Sequence, residues 1–478
     1  MTDHPGYDKV FTRSPSRVDK NSLGVDSRVN TEASLKKDIG LSVAMSIVIG
    51  TVIGSGIFMK PGKVIEYAGG SSMALLAWLL GGLITLAGGL TIAEVATQIP
   101  KTGGLYVYME EVYGKVWGYL SGWVQTVIYG PAIIGGLGLY FGSLIANLFE
   151  WNEKAGPWIG IITVVFLAVI NSFGTKYGGI VQNVATAGKL LPIVLIIVFG
   201  IWKGNEQVLS AGSGLTGGEI SMGAAILATL WAYDGWLMVG FVAGEMKNPA
   251  KILPKAIIGG ILIVTAAYLL VNIAMLHVLP ASTIVSLGEN SAGKAATLLF
   301  GQVGGKLIAI GIAVSIFGCL NGKILTFPRV TYAMAQRKQL PASHFLASVS
   351  EKFGTPIPAT GLQVVFAVIL MLLSNPDYLS AMAIFAIYIF YIFAFFAVFL
   401  LRKRNKKKER SYSVPLYPLV PAFAIIGAGY IVIATIIDNP RDSLTAIGAT
   451  LIGLPLYWYL NRSKGKDGTE ESLHKQAK

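Results

Sequence analysis

Apolar residues along this chain come in long unbroken blocks, where a soluble helix would alternate apolar and polar faces. The blocks lie near 41–59, 73–96, 116–148, 157–173, 180–202, 221–244, 256–279, 306–328, 357–374, 378–401, 415–437 and 443–460. About 20 consecutive apolar residues span the hydrocarbon core of a bilayer. Stretches such as Ala74 to Thr91 and Ile159 to Ile170 carry no charge at all. The pattern predicts an all-α polytopic membrane protein with twelve transmembrane helices. The block at 116–148 is longer than one crossing needs, which predicts a tilt or an extension past the membrane. Short connections leave no room for a separate soluble domain, and the polar stretches 1–38 and 461–478 read as mobile cytoplasmic tails.

Two blocks are interrupted where interruption costs most. The first contains GTVIGSGIFMKPG, from Gly50 to Gly62. Glycine lowers helix stability by about 1 kcal/mol relative to alanine, and an opened helix in hydrocarbon leaves peptide groups without partners. Counted from Leu41, Gly54 lies about 20 Å along a helix rising roughly 1.5 Å per residue, near the midplane. A break there exposes free N–H groups that suit a carboxylate and free carbonyls that suit an ammonium. The sixth block carries a matching interruption, LWAYDGWLM from Leu230 to Met238. Asp234 reads as a cap for the half-helix that follows, or as a counter-charge for a cationic substrate. Interrupted segments at corresponding positions of two halves point to a transporter site. The reading is one transporter domain over 39–460, with inverted repeats at about 39–202 and 221–401 and two further helices at 415–460. Close helix packing is the competing explanation for the glycines. Trp231, Tyr233 and Trp236 each read singly as core or interfacial aromatics.

Lys189 sits in the fifth block, about 15 Å from its cytoplasmic end at roughly 1.5 Å per residue. A charge at that depth is costly and needs acceptors. Carbonyls freed by the first break would serve, with the Ser315 hydroxyl of block eight adding to them. A fixed ammonium would then occupy the place that a sodium ion takes in transporters of this design; an incidental water pocket is the alternative. Lys323, nearer the end of block eight, reads as a snorkelling lysine.

Composition agrees: of 478 residues, 53% are hydrophobic and 13% charged, about half the charged share of soluble domains. The net charge of +13 would suggest nucleic acid if it were clustered on a soluble face. Instead, basic residues gather in the amino-terminal tail and in every second loop: Lys247, Lys251 and Lys255; Arg337 and Lys338; and the run RKRNKKKER from Arg402 to Arg410. The other loops carry Glu150, Glu153, Glu206, Glu219, Glu289, Asp377, Asp438 and Asp442. The positive-inside rule then puts both termini in the cytoplasm, with the basic run as a topology signal near anionic lipid. No signal peptide precedes the first block. Cys319 is the one cysteine, so no internal disulfide forms. No HExxH, nucleotide-binding loop or paired-carboxylate cluster is present, which argues against an enzyme and implies no metal or cofactor.

Four segments taken in order resemble a known family: GTVIGSGIF, then AEVATQIPKTGGLYVYMEEVYG (Ala93 to Gly114), then WAYDGW with GEMKNP, then FGCLNGK. They are similar to the L-amino acid transporter family of the amino acid–polyamine–organocation superfamily, bacterial serine/threonine exchangers in particular. The likeness runs from about residue 36 to 460. It implies the LeuT-like fold of five-plus-five inverted repeats with helices one and six broken, working by alternating access. It implies a substrate carboxylate on the backbone around Gly54, Ser55 and Gly56, and an ammonium on the carbonyls of Val52, Trp231 and Asp234, with Trp236 beside them. Tryptophan at 231, where animal members commonly carry phenylalanine, implies a smaller pocket. Animal members join a glycoprotein subunit through a cysteine after span three; Leu148 to Pro157 has none, so no disulfide-linked subunit is expected. The implied activity is sodium-independent exchange of small neutral L-amino acids (alanine, serine, threonine) across a bacterial cell membrane. Proton-coupled symport through Lys189, cationic amino acid or polyamine transport through Asp234, and sensing without transport remain alternatives.

Overall fold

Each apolar block becomes helix, because a backbone in lipid must satisfy its own polar groups. The computed structural model describes residues 39–99, 103–209, 220–406 and 409–460, with backbone alone for 175–184, 186–187 and 241–245. Both expected tails, and two lysines of the basic run, therefore lie outside the described residues.

The first half of the chain contains α1 (Leu41–Val52), α2 (Gly56–Met59), α3 (Pro61–Ala68), α4 (Ser71–Gln98) and α5 (Leu105–Tyr113). It continues with α6 (Lys115–Val124), α7 (Gly130–Leu148), α8 (Ala155–Ser172) and α9 (Thr175–Lys203). The second half holds α10 (Met222–Ala232), α11 (Pro249–Val278), α12 (Ala281–Leu287), α13 (Ser291–Thr326) and α14 (Pro328–Gln336). Then come α15 (Ser343–Leu346), α16 (Ile357–Leu373), α17 (Pro376–Arg404), α18 (Leu419–Asp438) and α19 (Pro440–Leu451). Among the described residues, nine helical segments are long and apolar enough to cross a membrane, and α10 and α16 are shorter apolar helices.

Local chemistry sets the ends. Pro61, Pro249 and Pro376 open α3, α11 and α17 at the first turn, where a missing N–H is harmless. Ser221, Asn248 and Asn375 cap α10, α11 and α17 by accepting N–H groups three residues on. The long third block is one run, Lys115–Leu148, holding a π-helical turn at Gln125–Tyr129. Block eight, expected from 306, starts earlier, at Ser291, and bends at Gly301, whose φ of 74° only glycine adopts readily.

The packing lodges the interrupted helices inside. α11 runs against α4, α1 and α9, while α7 packs on α8, α16, α13 and α17. α10 is held by α3, α4 and α18. Large residues such as Ile162, Phe166, Val194, Val198, Ile426 and Ile433 face outward. That belt would be a liability in water and is the expected surface in lipid.

Candidate functional site at two broken helices

Both interruptions are real breaks. Helix α1 stops at Val52, residues 53–55 are non-helical, and α2 restarts at Gly56. Opening the helix frees carbonyls at its end, and the Lys189 ammonium donates to two of them, Gly50 and Ile53, the latter at 3.2 Å. Lys189 is 0% exposed, so these acceptors stand in for the water it has lost. On the other side of the break, among the described residues, the N–H groups of Gly54 and Ser55 find no backbone acceptor. Gly56 begins a helix, whose first N–H groups are free of intrahelical partners. Ser315 is buried too, but its hydroxyl has no hydrogen-bond partner, so it does not join Lys189 as expected. Lys189 meets carbonyls of α1 instead.

The second break follows α10. Tyr233, Asp234 and Gly235 form a turn, and Trp236–Glu245 continues as 3-10 helix. Gly235 has φ of 117°, and a Cβ there would stand 2.5 Å from the Thr51 carbonyl oxygen. Only glycine lets the two breaks touch at this point. Asp234 is not the expected helix cap. Its carboxylate accepts from the Tyr129 hydroxyl at 2.5 Å and pairs with the Lys323 ammonium at 2.7 Å. Lys323, read as snorkelling, is 2% exposed. The reason is local: a carboxylate within reach in the protein interior satisfies the ammonium, and removing either partner would leave an uncompensated buried charge.

Two further contacts join the breaks. The Tyr268 hydroxyl of α11 lies 2.8 Å from the Ala232 carbonyl and 3.2 Å from that of Val52, so its single proton is shared between the two helix ends. Trp231 donates its indole N–H to Ser55 Oγ at 3.4 Å, and its ring lies 6.2 Å from that of Tyr140. Trp231's carbonyl is held by the Asp234 N–H at 3.2 Å. Trp236 sits apart from these, its ring 5.6 Å from that of Tyr391.

The glycines of the triplet serve packing as well. A Cβ at Gly54 would meet Cys319 Sγ at 2.7 Å, and one at Gly56 would meet Ala232 Cα at 2.4 Å. Bulk at either position therefore breaks contacts with α13 or α10 before any ligand is considered. Close helix packing, the competing explanation for these glycines, therefore holds alongside the break.

A second ion pair, between buried Lys60 and half-buried Asp377, lies just beyond α2. Lys60 meets Asp377 Oδ1 and Ser380 Oγ, each at 2.7 Å, and Tyr140 donates to the same carboxylate oxygen at 2.8 Å. Lys60 thus fastens the end of the first broken segment to α17. At the other end of α4, Glu94 is fully buried and accepts Arg402 through two bonds, at 2.8 and 2.6 Å, with the Val414 N–H at 2.7 Å. The first residue of the basic run is therefore a structural anchor as well as a topology signal. Sequence reading passed over Lys60, Tyr129 and Tyr268. The one usable signal was Lys60, a charge directly abutting an apolar block.

Comparison with known proteins fits this geometry. A family profile described as amino acid permease matches residues 39–459. The chain is 59% identical over 430 residues to a serine/threonine exchanger, SteT, of Bacillus subtilis (strain 168), covering 90% of this chain and 98% of that protein. It is 30% identical over 458 residues to the b(0,+)-type amino acid transporter 1 of Homo sapiens, covering 92% and 91%. Identity to the large neutral amino acids transporter small subunit 2 of Mus musculus is 34% over 388 residues, covering 77% and 71%.

Proposed function

The chain belongs to the amino acid permease family, a transporter and not an enzyme, and from that premise we propose that it exchanges small neutral L-amino acids by alternating access. The opened first span carries the reading: its carbonyls hold Lys189 while the N–H groups of Gly54 and Ser55 stand unpaired. A substrate carboxylate takes those N–H groups at the positive end of α2. Its ammonium takes carbonyls at the ends of α1 and α10, where Val52 and Ala232 share the Tyr268 proton. Trp231, across Ser55, limits the side chain that fits, in keeping with the serine/threonine exchanger relative.

Lys189 brings its own ammonium to the α1 carbonyls, in the place where a sodium ion would otherwise be needed. Asp234 is already neutralised by Lys323, which weighs against a cationic or polyamine substrate. The two ion pairs flank the breaks and join elements from different parts of the chain, Lys60 to α17 and Asp234 to α13. Exchanging one closure for the other is the movement we assign to transport. We further propose twelve crossings in two inverted five-span repeats plus α18 and α19, both termini in the cytoplasm, and a place in the bacterial cell membrane. Cys319 is buried, and the 59% identical relative is bacterial, so we propose that it works without a disulfide-linked subunit.

Proteoliposomes test this. Labelled L-serine should enter vesicles preloaded with L-serine or L-threonine, equally well in sodium and in choline, and far more slowly when vesicles are empty. Equal uptake by empty vesicles, driven by a proton gradient, would instead establish symport.

A further inference from the structure

A groove of about 940 Å³ opens on the outer surface between α16, the start of α17 and α19. Its floor and walls include Ile128, Ile369, Leu373 and Ala449, and Leu373 is 78% exposed. At its mouth stand Arg441 and Asp442, in the first turn of α19. From Arg441 to Ala449 the groove descends about 12 Å at roughly 1.5 Å per helical residue. One leaflet of a hydrocarbon core about 30 Å thick has nearly that depth. The shape is an apolar slot one leaflet deep with a charged rim.

The rim carries both signs of charge. Among the described residues neither Arg441 nor Asp442 forms an ion pair. A guanidinium at the membrane interface is the side chain best matched to a phosphate, through two parallel N–H bonds. A carboxylate beside it suits a primary ammonium. Asp442 also borders a neighbouring cavity of about 270 Å³ that reaches Asn439 and Thr435, which leaves room for the amine end of a headgroup.

We propose that this groove binds one phospholipid with a primary-amine headgroup, its acyl chain along α16, its phosphate on Arg441 and its ammonium on Asp442. A phosphatidylglycerol lacks the amine, and a phosphatidylcholine has a quaternary nitrogen without an N–H to donate. The site is separate from the broken helices and does not depend on the substrate assigned to them.

Native mass spectrometry of the purified full chain, incubated with equal amounts of phosphatidylethanolamine, phosphatidylglycerol and phosphatidylcholine, tests the assignment. One phosphatidylethanolamine should be retained with about fivefold preference, the ratio one charged contact at headgroup level supports. Asp442→Asn should remove the preference, Arg441→Gln should weaken retention of all three lipids, and Thr445→Trp, at an exposed position in the groove, should exclude them. Equal retention of the three lipids by the wild type, or an unchanged preference in Asp442→Asn, overturns the proposal. So does a dimer mass without bound lipid, which would assign this face to a second copy of the chain.

Discussion

Replacing Asp234 by asparagine keeps the size of the side chain and removes its charge. Tyr129 still finds an oxygen to bond at the Oδ1 position, but the buried Lys323 ammonium, 2.7 Å from Oδ2 in the native pair, faces a neutral amide. Breaking a buried pair on one side costs about 3–5 kcal/mol. Lys323→Met is the milder change, because the Asp234 carboxylate keeps the Tyr129 hydroxyl. Asp234→Asn with Lys323→Met removes both charges and should recover at least half of the larger loss, since an uncharged pair of similar volume is often tolerated. The sole cysteine, Cys319, is buried, so a thiol-reactive fluorophore reports unfolding as a melting curve. The expected order of melting temperature is wild type highest, then the double variant and Lys323→Met, with Asp234→Asn lowest. Single variants that melt with the wild type, or a double variant as unstable as the sum of the singles, would refute the buried-pair reasoning.

Other changes have distinct signatures. Gly56→Ala puts a methyl group 2.4 Å from Ala232 Cα, so both melting temperature and serine exchange should fall, by several degrees and at least tenfold, with the protein still inserted in the membrane. Trp231→Ala opens the space over Ser55, and leucine or phenylalanine should then compete for serine uptake as they do not in the wild type. Lys60→Met leaves Asp377 with Tyr140 and without its cation; exchange should slow about tenfold while Lys60→Arg keeps most of it, as measured by counterflow.

The membrane class was legible because lipid admits so few backbone solutions, and the blocks from Leu41 to Leu460 meet that constraint with helix. The two breaks were legible for the same reason: Gly54 and Gly56 in one block, Asp234 and Gly235 in another, are residues that a continuous helix in lipid does not favour. Lys189 could be matched to carbonyls because a midplane charge must find acceptors. Partnerships were a different matter. Lys323 lies 89 residues from Asp234, and Lys60 lies 317 from Asp377, and local pattern says nothing about which distant segments meet. Tyr129 and Tyr268 escaped notice because a tyrosine in an apolar span has an apolar body that suits the core, and only its neighbours reveal what the hydroxyl bonds. Ser315 was paired with Lys189 on position along α13 alone, and the structure leaves its hydroxyl without a partner.

The central claim is that an ammonium fixed on the carbonyls of the first broken helix takes the place of a mobile cation. Serine/serine exchange by Lys189→Ala and Lys189→Arg, in sodium-free vesicles and then in sodium, tests it most directly. Losing a charge-assisted pair of bonds worth about 1.5–3 kcal/mol should slow the alanine variant by roughly ten- to a hundredfold without sodium, with the wild type indifferent to sodium throughout. Exchange by Lys189→Ala within twofold of the wild type in sodium-free vesicles would contradict the account.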